Sequence, residues 1–163
     1  MKSVKTLQDI ENKYIIVFDN SFDNLQVVME HFSTVHTSFM VDFTFTNNIT
    51  ILMGDSGTGK TATFSFIREC MAVNPQILCL DNCDYQKDIK EIIRQAVGKL
   101  IVIDSADILL NDDTRKYISL DDKNQYLIIG RNPKNLFATK ENLFELVSEK
   151  VGEQTVFTIK PYI

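Results

Sequence analysis

The sequence predicts an α/β fold, a three-layer structure in which a mostly parallel sheet carries an antiparallel N-terminal extension. From residue 49 onward, continuous apolar runs that are typical of buried strands alternate with amphipathic helical patterns. Strands that are separated by helices imply right-handed crossovers, which place helices on both faces of a parallel sheet. Before residue 47, apolar and polar residues alternate, as in a strand with one buried face.

Size and composition predict a single domain that comprises residues 1–163. The chain has 163 residues, of which 44% are hydrophobic and 24% charged, enough apolar material for one substantial core. Residues 1–47 are expected to extend the sheet that residues 48–163 form. The net charge of −5 argues against a broad surface for nucleic acid or an anionic membrane, although it leaves a local basic site open.

The cysteine pattern predicts a reduced, cytoplasmic setting. The three cysteines, Cys70, Cys79 and Cys83, are an odd number, and residues 1–13 lack the apolar segment of a secretory signal. Cys79 and Cys83 can in principle ligate a metal, but no second pair of cysteine or histidine residues completes a zinc site. No apolar run approaches the roughly 20 residues that span a bilayer.

Residues 14–46 predict two strands and a short helix. The apolar residues 14–18 predict the first strand, and Asp19-Asn20 ends it with turn residues. Residues 38–46 alternate with period two and predict the second strand. Between them, apolar residues at helical spacing predict the helix, and they are Leu25, Val28, Met29 and Phe32.

Further strands and helices alternate in the remaining chain. The predicted strands are residues 49–53, 76–80, 100–103, 126–129 and 155–159. The first helix starts near Gly59, and the second lies between Asp84 as N-cap and Gly98 as C′ residue, with Tyr85 facing inward. The last helix begins after Thr139 and ends at Gly152. Its expected inward-facing residues are Leu143, Phe144, Leu146 and Val147.

A glycine-rich loop after the strand at residues 49–53 predicts a phosphate site. It fits the pattern G-x-x-x-x-G-K-[ST] at every fixed position, and its residues are Gly54, Asp55, Ser56, Gly57, Thr58, Gly59, Lys60 and Thr61. Glycines let backbone N–H groups converge on an anion without interference from Cβ atoms. The following helix adds its first N–H groups, including that of Ala62, and its positive dipole end. Lys60 supplies a cation for the outer phosphates, and Thr61 supplies a hydroxyl to Mg²⁺.

The loop and its strand resemble the P-loop NTPases, specifically the ATPase-like division in which an additional strand lies between the phosphate loop and an acidic strand. The sequence NITILMGDSGTGKT is also similar to the entry to ABC-type and AAA-type ATPase domains. The resemblance covers residues 49–159. It implies a P-loop NTPase fold with ATP and Mg²⁺ as ligands. The alternative is a glycine-rich turn that precedes a helix by chance.

The apolar run Leu100-Ile101-Val102-Ile103-Asp104 matches the second motif of the resembling family. An acid at the exposed end of a buried strand can hold a magnesium-bound water, and the resemblance implies this role for Asp104, beside Thr61. The alternative is that Asp104 caps the turn that starts at Ser105. Many ATPases of this division place a water-activating glutamate directly after the aspartate, and Ser105 in that position puts hydrolysis in doubt.

Two further residues complete the predicted catalytic set. Asp107 lies about one helical turn beyond Asp104 and is a candidate base, or else a solvated or helix-capping acid. Glu69 and Asp81 are weaker candidates. Arg131 follows the strand at residues 126–129, which in the resembling fold lies between the two motif strands, and it is either a forked cation for phosphate or an ordinary surface residue. The predicted catalytic residues are therefore Lys60, Asp104, Asp107 and Arg131.

The motifs predict an ATP-binding protein with magnesium-dependent nucleotide binding and slow or partner-dependent hydrolysis. A protein partner or a second copy of the chain is expected to complete the site, because ABC-signature and lid segments are not recognisable. One alternative is a nucleotide-dependent interaction protein that does not hydrolyse its ligand. Another is a small-molecule kinase, although the chain has only four arginines, and they do not cluster. A GTP switch lacks its Asn-Lys-x-Asp segment.

Overall fold

The computed structural model describes residues 27–163, and the strand predicted at residues 14–18 lies outside this part of the chain. Within it, the strands are β1 (His31–His36), β2 (Phe39–Thr44), β3 (Ile49–Met53), β4 (Ile77–Leu80), β5 (Leu100–Ile103), β6 (Gln125–Ile129), β7 (Leu143–Val151) and β8 (Gln154–Pro161). The helices are α1 (Lys60–Cys70), α2 (Ile89–Gln95), α3 (Ala106–Leu109) and α4 (Asp112–Leu120). Short 3₁₀ turns lie at Asn82–Asp84 and Lys140–Asn142. Among residues 27–163, no helix has the length and hydrophobicity needed to cross a membrane.

The strands form one mixed, curled sheet in the order β1-β2-β8-β7-β3-β6-β5-β4. The five strands from β7 to β4 run parallel to one another. The β7–β8 and β1–β2 pairs are antiparallel, whereas β2 and β8 are parallel. The strand direction therefore reverses twice across the sheet, once between β7 and β8 and once between β2 and β1.

This architecture contradicts the predicted fold class. The chain does not have the three-layer P-loop NTPase fold with a mostly parallel sheet. Its structure is rich in strands, its sheet is mixed and curled, and only 27% of the described residues are helical. Antiparallel pairing is also not confined to the N-terminal extension, since the β7–β8 hairpin lies at the C-terminal end of the chain. The strands predicted at residues 49–53 and 100–103 are confirmed.

The helix predicted between Thr139 and Gly152 is wrong, and this segment is strand β7. The apolar residues at 143, 144, 146 and 147 fit the period of a helix or of a strand. In the structure Phe144 and Leu146 are buried and their neighbours are less so, which is the period of two of a strand. Pairing with β8 decides between them, because it bonds the backbone along the whole strand. Gly152 has a φ of 66° and turns the hairpin, and Thr139 caps only a 3₁₀ turn.

Other helical predictions are also corrected. Residues 27–30 are not helical, and Phe32 lies in β1, while Leu25 of the same predicted helix lies outside the described residues. Helix α2 starts at Ile89 with Asp88, and not Asp84, as its N-cap. Asp84 instead closes a 3₁₀ turn, and Tyr85, which follows it, is exposed and does not face inward. Helices α3 and α4 were not predicted.

Two apolar clusters lie on opposite faces of the sheet and make its centre rigid. One packs Leu52, Val102 and Leu127 against α1, and the other includes Ile51, Ile101 and Ile128. Strands β3, β5 and β6 are therefore buried on both faces, as expected of central parallel strands. The residues that follow these strands are therefore attached to a well-packed part of the protein.

The turn at Gly152 offers a test of the hairpin. Gly152→Ala is expected to lower the free energy of unfolding by about 1 kcal/mol, because an L-residue at a positive φ is strained even where space is open. Urea denaturation measures the change. Glu153→Ala in the same turn is the control and should change it by less than about 0.5 kcal/mol. Equal effects of the two substitutions would contradict the assigned turn.

Candidate functional site

The carboxyl ends of β3, β6 and β5 meet at one edge of the sheet. Leu52 is in register with Ile129, and Ile103 with Ile128, so the three strands end side by side. The segments that leave them surround a pocket of about 660 Å³. Its lining residues are Ser56, Gly57, Gly59, Lys60, Thr61, Ala62, Asp104, Ser105, Asp107, Ile108, Ile129, Gly130 and Arg131.

This pocket gathers most of the site residues that the sequence predicts. Lys60, Thr61, Asp104, Asp107 and Arg131 all line it, together with the second half of the glycine-rich loop. Three predicted phosphate-binding residues, Gly54, Asp55 and Thr58, do not line it, and Thr58 Oγ1 donates to the carbonyl oxygen of Asp55 at 3.2 Å within the loop. The strand β6 lies between β3 and β5, so that Arg131 is flanked by the loop and by Asp104.

The loop between β3 and α1 presents a row of backbone donors. Gly54, Gly57 and Gly59 have φ values of 109°, 84° and 100°, which L-residues rarely adopt. Apart from the turn at residues 56 and 57, no backbone N–H group of residues 55–62 donates a hydrogen bond to an acceptor within residues 27–163. The first N–H groups of α1 belong to this set, and they carry the positive end of the helix dipole. The loop is therefore suited to an anion.

Lys60 lies within the curve of this loop. Its Nζ donates hydrogen bonds to the carbonyl oxygens of Gly54 at 3.1 Å and Asp55 at 2.6 Å, and to Thr58 Oγ1 at 3.2 Å. Burial, and next the nearby guanidinium of Arg131, lower the pKa of Lys60, whereas Asp55 and Asp104 oppose this change. The ammonium group is thus bound to neutral oxygens beside a second cation.

Asp104 and Thr61 supply the oxygen ligands that suit magnesium. Asp104 Oδ1 accepts the N–H of Ser105 at 2.8 Å, and Thr61 lies across the pocket at the start of α1. Burial raises the pKa of Asp104, and the neighbouring carboxylate of Asp81 adds to the effect. Residues 27–163 contain no cluster of three or more His, Cys, Asp or Glu side chains that can hold a metal. Thr61 and Asp104 are two oxygen ligands of the kind that Mg²⁺ takes, and a magnesium ion beside them would need further oxygens from a ligand or water.

The two weaker candidates for a base are engaged elsewhere. Asp81 pairs with Arg68 and caps the 3₁₀ turn through the N–H of Cys83. Glu69 lies on α1 and approaches His36 of β1 at 3.4 Å. Neither lines the pocket. Both carboxylates thus have structural partners that the sequence did not indicate.

Asp107 and Arg131 are linked through the backbone. Asp107 Oδ2 accepts the N–H of Arg131 at 2.9 Å, and Oδ1 accepts the N–H of Asn132 at 3.2 Å. The side chain of Arg131 is exposed and lines the pocket. Asp107 therefore has a structural role at the start of the segment that follows β6, which the sequence did not indicate.

Sequence reasoning missed three features of this edge. Ser105 adopts a φ of 56°, a left-handed conformation that is uncommon for a residue other than glycine. Ile108 lines the pocket although 73% of it is exposed. Arg115 is buried on α4 and contacts Asp107. A helix signal was present for α4, since Asn111 caps it and Asp112 follows, but no local pattern marks a buried arginine.

Comparison of the chain with protein-family models, curated proteins and solved structures gives no match. Together with the mixed, curled sheet, this result contradicts the predicted membership of the P-loop NTPase superfamily. The eight-residue motif 54–61 determines the local loop but does not determine the rest of the architecture.

The contact behind the loop provides one test. A Cβ atom at Gly59 would lie 2.8 Å from the ring of Phe157, whereas one at Gly57 would meet nothing within 4 Å. Both alanine variants carry the strain of a positive φ, about 1–2 kcal/mol. Gly59→Ala is expected to lower the unfolding free energy by about 1–3 kcal/mol more than Gly57→Ala, because it overpacks the ring. Urea denaturation measures this difference between the two variants. The difference should become smaller when both substitutions are made in a Phe157→Leu protein.

The raised pKa of Asp104 predicts a stabilising substitution. A carboxyl group whose pKa is higher in the folded than in the unfolded protein lowers stability as the pH rises through the folded value. Asp104→Asn removes this loss and keeps an acceptor for the N–H of Ser105. Without nucleotide or Mg²⁺, the variant should therefore unfold at higher urea concentration than the unmodified protein at pH 7.

The stability difference between Asp104→Asn and the unmodified protein must change with pH in one direction. The difference between the two proteins should shrink on acidification and disappear below the ordinary aspartate pKa of 3.8, where both carry a neutral side chain. Urea denaturation at several pH values measures it. A difference that grows toward low pH would contradict the direction of the pKa shift.

Proposed function

We propose that this protein binds ATP with Mg²⁺ in the pocket at the carboxyl ends of β3, β6 and β5, and hydrolyses it slowly or with the help of a partner. The observation that carries the proposal is that a glycine-rich loop whose N–H groups are largely without acceptors lines one pocket together with two cations, Lys60 and Arg131. A polyphosphate is the anion that suits an extended row of donors at a helix N-terminus.

The distribution of charge supports a ligand that carries both phosphate and metal. The pocket holds two cations, Lys60 and Arg131, and an aspartate, Asp104, whose pKa is raised by burial. Phosphate oxygens would neutralise the cations, and Mg²⁺ held by Thr61 and Asp104 would neutralise the acid. Bound magnesium would shield charge that develops on the phosphates, while the chain's own residues orient the ligand and exclude water.

The acids of the pocket favour slow hydrolysis. Asp104 and Asp107 are the carboxylates among its lining residues, and Asp107 accepts hydrogen bonds from two backbone N–H groups. Ser105, which follows Asp104, carries no carboxylate. The pocket therefore lacks an unengaged base for an attacking water, so a partner protein or a second copy of the chain would supply it.

The same observation favours one second candidate. A nucleotide-dependent interaction protein that binds ATP without turnover needs no base, and it would use the occupied pocket to present a surface.

The cysteines of the described residues, Cys70, Cys79 and Cys83, are unpaired, which supports the proposed cytoplasmic location of either protein.

Lys60→Ala tests the binding site. Loss of a charge-assisted hydrogen bond costs about 1.5–3 kcal/mol, so the affinity for Mg²⁺-ATP should fall roughly 10- to 150-fold. Isothermal titration calorimetry measures it, with Lys116→Ala on the exposed face of α4 as a control that should leave the affinity unchanged. Unchanged ATP affinity in a folded Lys60→Ala protein would remove the proposed function.

Phosphate release separates the two candidates. Purified protein that binds Mg²⁺-ATP is incubated with it, and inorganic phosphate is followed over hours with Lys60→Ala as the blank. Release above the blank supports a slow ATPase. Binding without release, also after addition of proteins that copurify with the chain, supports the interaction protein.

A further inference from the structure

Arg115 is the most extensively bonded buried charge among the described residues. Its side chain is 4% exposed, although arginine is seldom buried without partners. The guanidinium donates to the carbonyl oxygens of Leu110 and Ala106, at 3.2 and 3.4 Å, within the α3–α4 segment. It also donates to the carbonyl oxygens of Asn132 and Lys134 in the segment that follows β6. One side chain thus joins two segments that border the pocket.

Asp107 connects the same two segments from the other direction. It lies in α3, approaches Arg115 Nη2 at 3.4 Å, and accepts the consecutive N–H groups of Arg131 and Asn132. Gly130 permits this approach, since a Cβ atom there would lie 3.0 Å from Asp107 Oδ1. Donors from Arg115 and acceptors from Asp107 therefore hold the peptide groups on both sides of Asn132.

Arg131 is the residue whose position these bonds determine. Its backbone is held by Asp107, while its guanidinium has no ion-pair partner within residues 27–163 and lines the pocket opposite the loop. If the loop and the first turn of α1 hold the inner phosphates of a polyphosphate, its terminal phosphate would lie nearest to Asp104 and Arg131, which line the same pocket at the ends of β5 and β6.

We infer that Asp107 and Arg115 form a clamp that positions Arg131 on the terminal phosphate and makes the pocket selective for nucleoside triphosphates over diphosphates. This inference rests on the proposed function. Asp107 is then a positioning residue and not a base. The clamp acts on a single phosphate, so its loss affects ATP and leaves the contacts that ATP and ADP share.

The test is a double-mutant cycle with two ligands. Calorimetry measures the affinities for Mg²⁺-ATP and Mg²⁺-ADP in the unmodified protein, Asp107→Asn, Arg131→Ala and the double variant. Asp107→Asn keeps the size of the side chain but replaces one of its two acceptor oxygens with a donor, so one of the N–H groups of Arg131 and Asn132 loses its acceptor. Asp112→Asn, an exposed acid in the first turn of α4, is the matched control.

The unmodified protein should bind ATP about 10-fold more tightly than ADP. Arg131→Ala and Asp107→Asn should each remove most of this ratio, and Arg131→Ala should change little further in the Asp107→Asn background. The affinity for ADP should stay within about two-fold in all variants, because the clamp would act on a phosphate that ADP lacks. Asp112→Asn should keep the ratio. Arg115→Lys provides a second disruption of the clamp and should also lower the ratio.

Each other outcome is decisive. An unchanged ratio in Asp107→Asn, or an equal effect of Arg131→Ala in both backgrounds, overturns the clamp and leaves ATP binding intact. Equal losses of ATP and ADP affinity in Asp107→Asn show a purely structural role and also overturn it. If the unmodified protein binds neither nucleotide, the proposed function falls, and this inference falls with it.

Discussion

The parallel register of β3, β6 and β5 is the constraint on which the candidate site depends. These strands are buried on both faces, so neither their order nor their register can change without disrupting the core. These strands end side by side. The glycine-rich loop, Asp104 and the segment that starts at Gly130 therefore all leave the sheet at the same edge. The curled, mixed part of the sheet does not border the pocket directly. It contributes Phe157, which packs behind the loop at Gly59.

The two titratable groups at this edge are partly desolvated. Burial lowers the pKa of Lys60, and Arg131 adds to this change, while burial raises the pKa of Asp104. Strained charges of this kind reduce stability and are characteristic of binding sites, where a ligand of complementary charge relieves them. A polyphosphate with a divalent cation would meet both groups together. The remaining acid, Asp107, is instead compensated by the protein itself.

The positions of the site residues relative to their strands could be predicted, whereas the architecture could not. Glycines at 54, 57 and 59 and the apolar runs before them are short-range signals, and they place Lys60, Thr61 and Asp104 correctly relative to their strands. Residues 143–147 carry an apolar pattern that fits a helix or a strand, and only pairing with β8, which is remote from any local signal, decides it. The superfamily assignment failed because it extended an eight-residue motif to a whole sheet. The contacts of Arg115 with residues 132 and 134 depend on tertiary packing, and its sequence context does not reveal them.

The hydrogen bonds of Lys60 to its own loop have a kinetic consequence. Because three oxygens hold the ammonium group, the loop is already curved before a ligand arrives, and little conformational entropy remains to be lost on binding. Association should then proceed without an ordering step, at a rate set by encounter and by ionic strength. Differences in affinity between ligands would consequently reside in how long each of them stays bound.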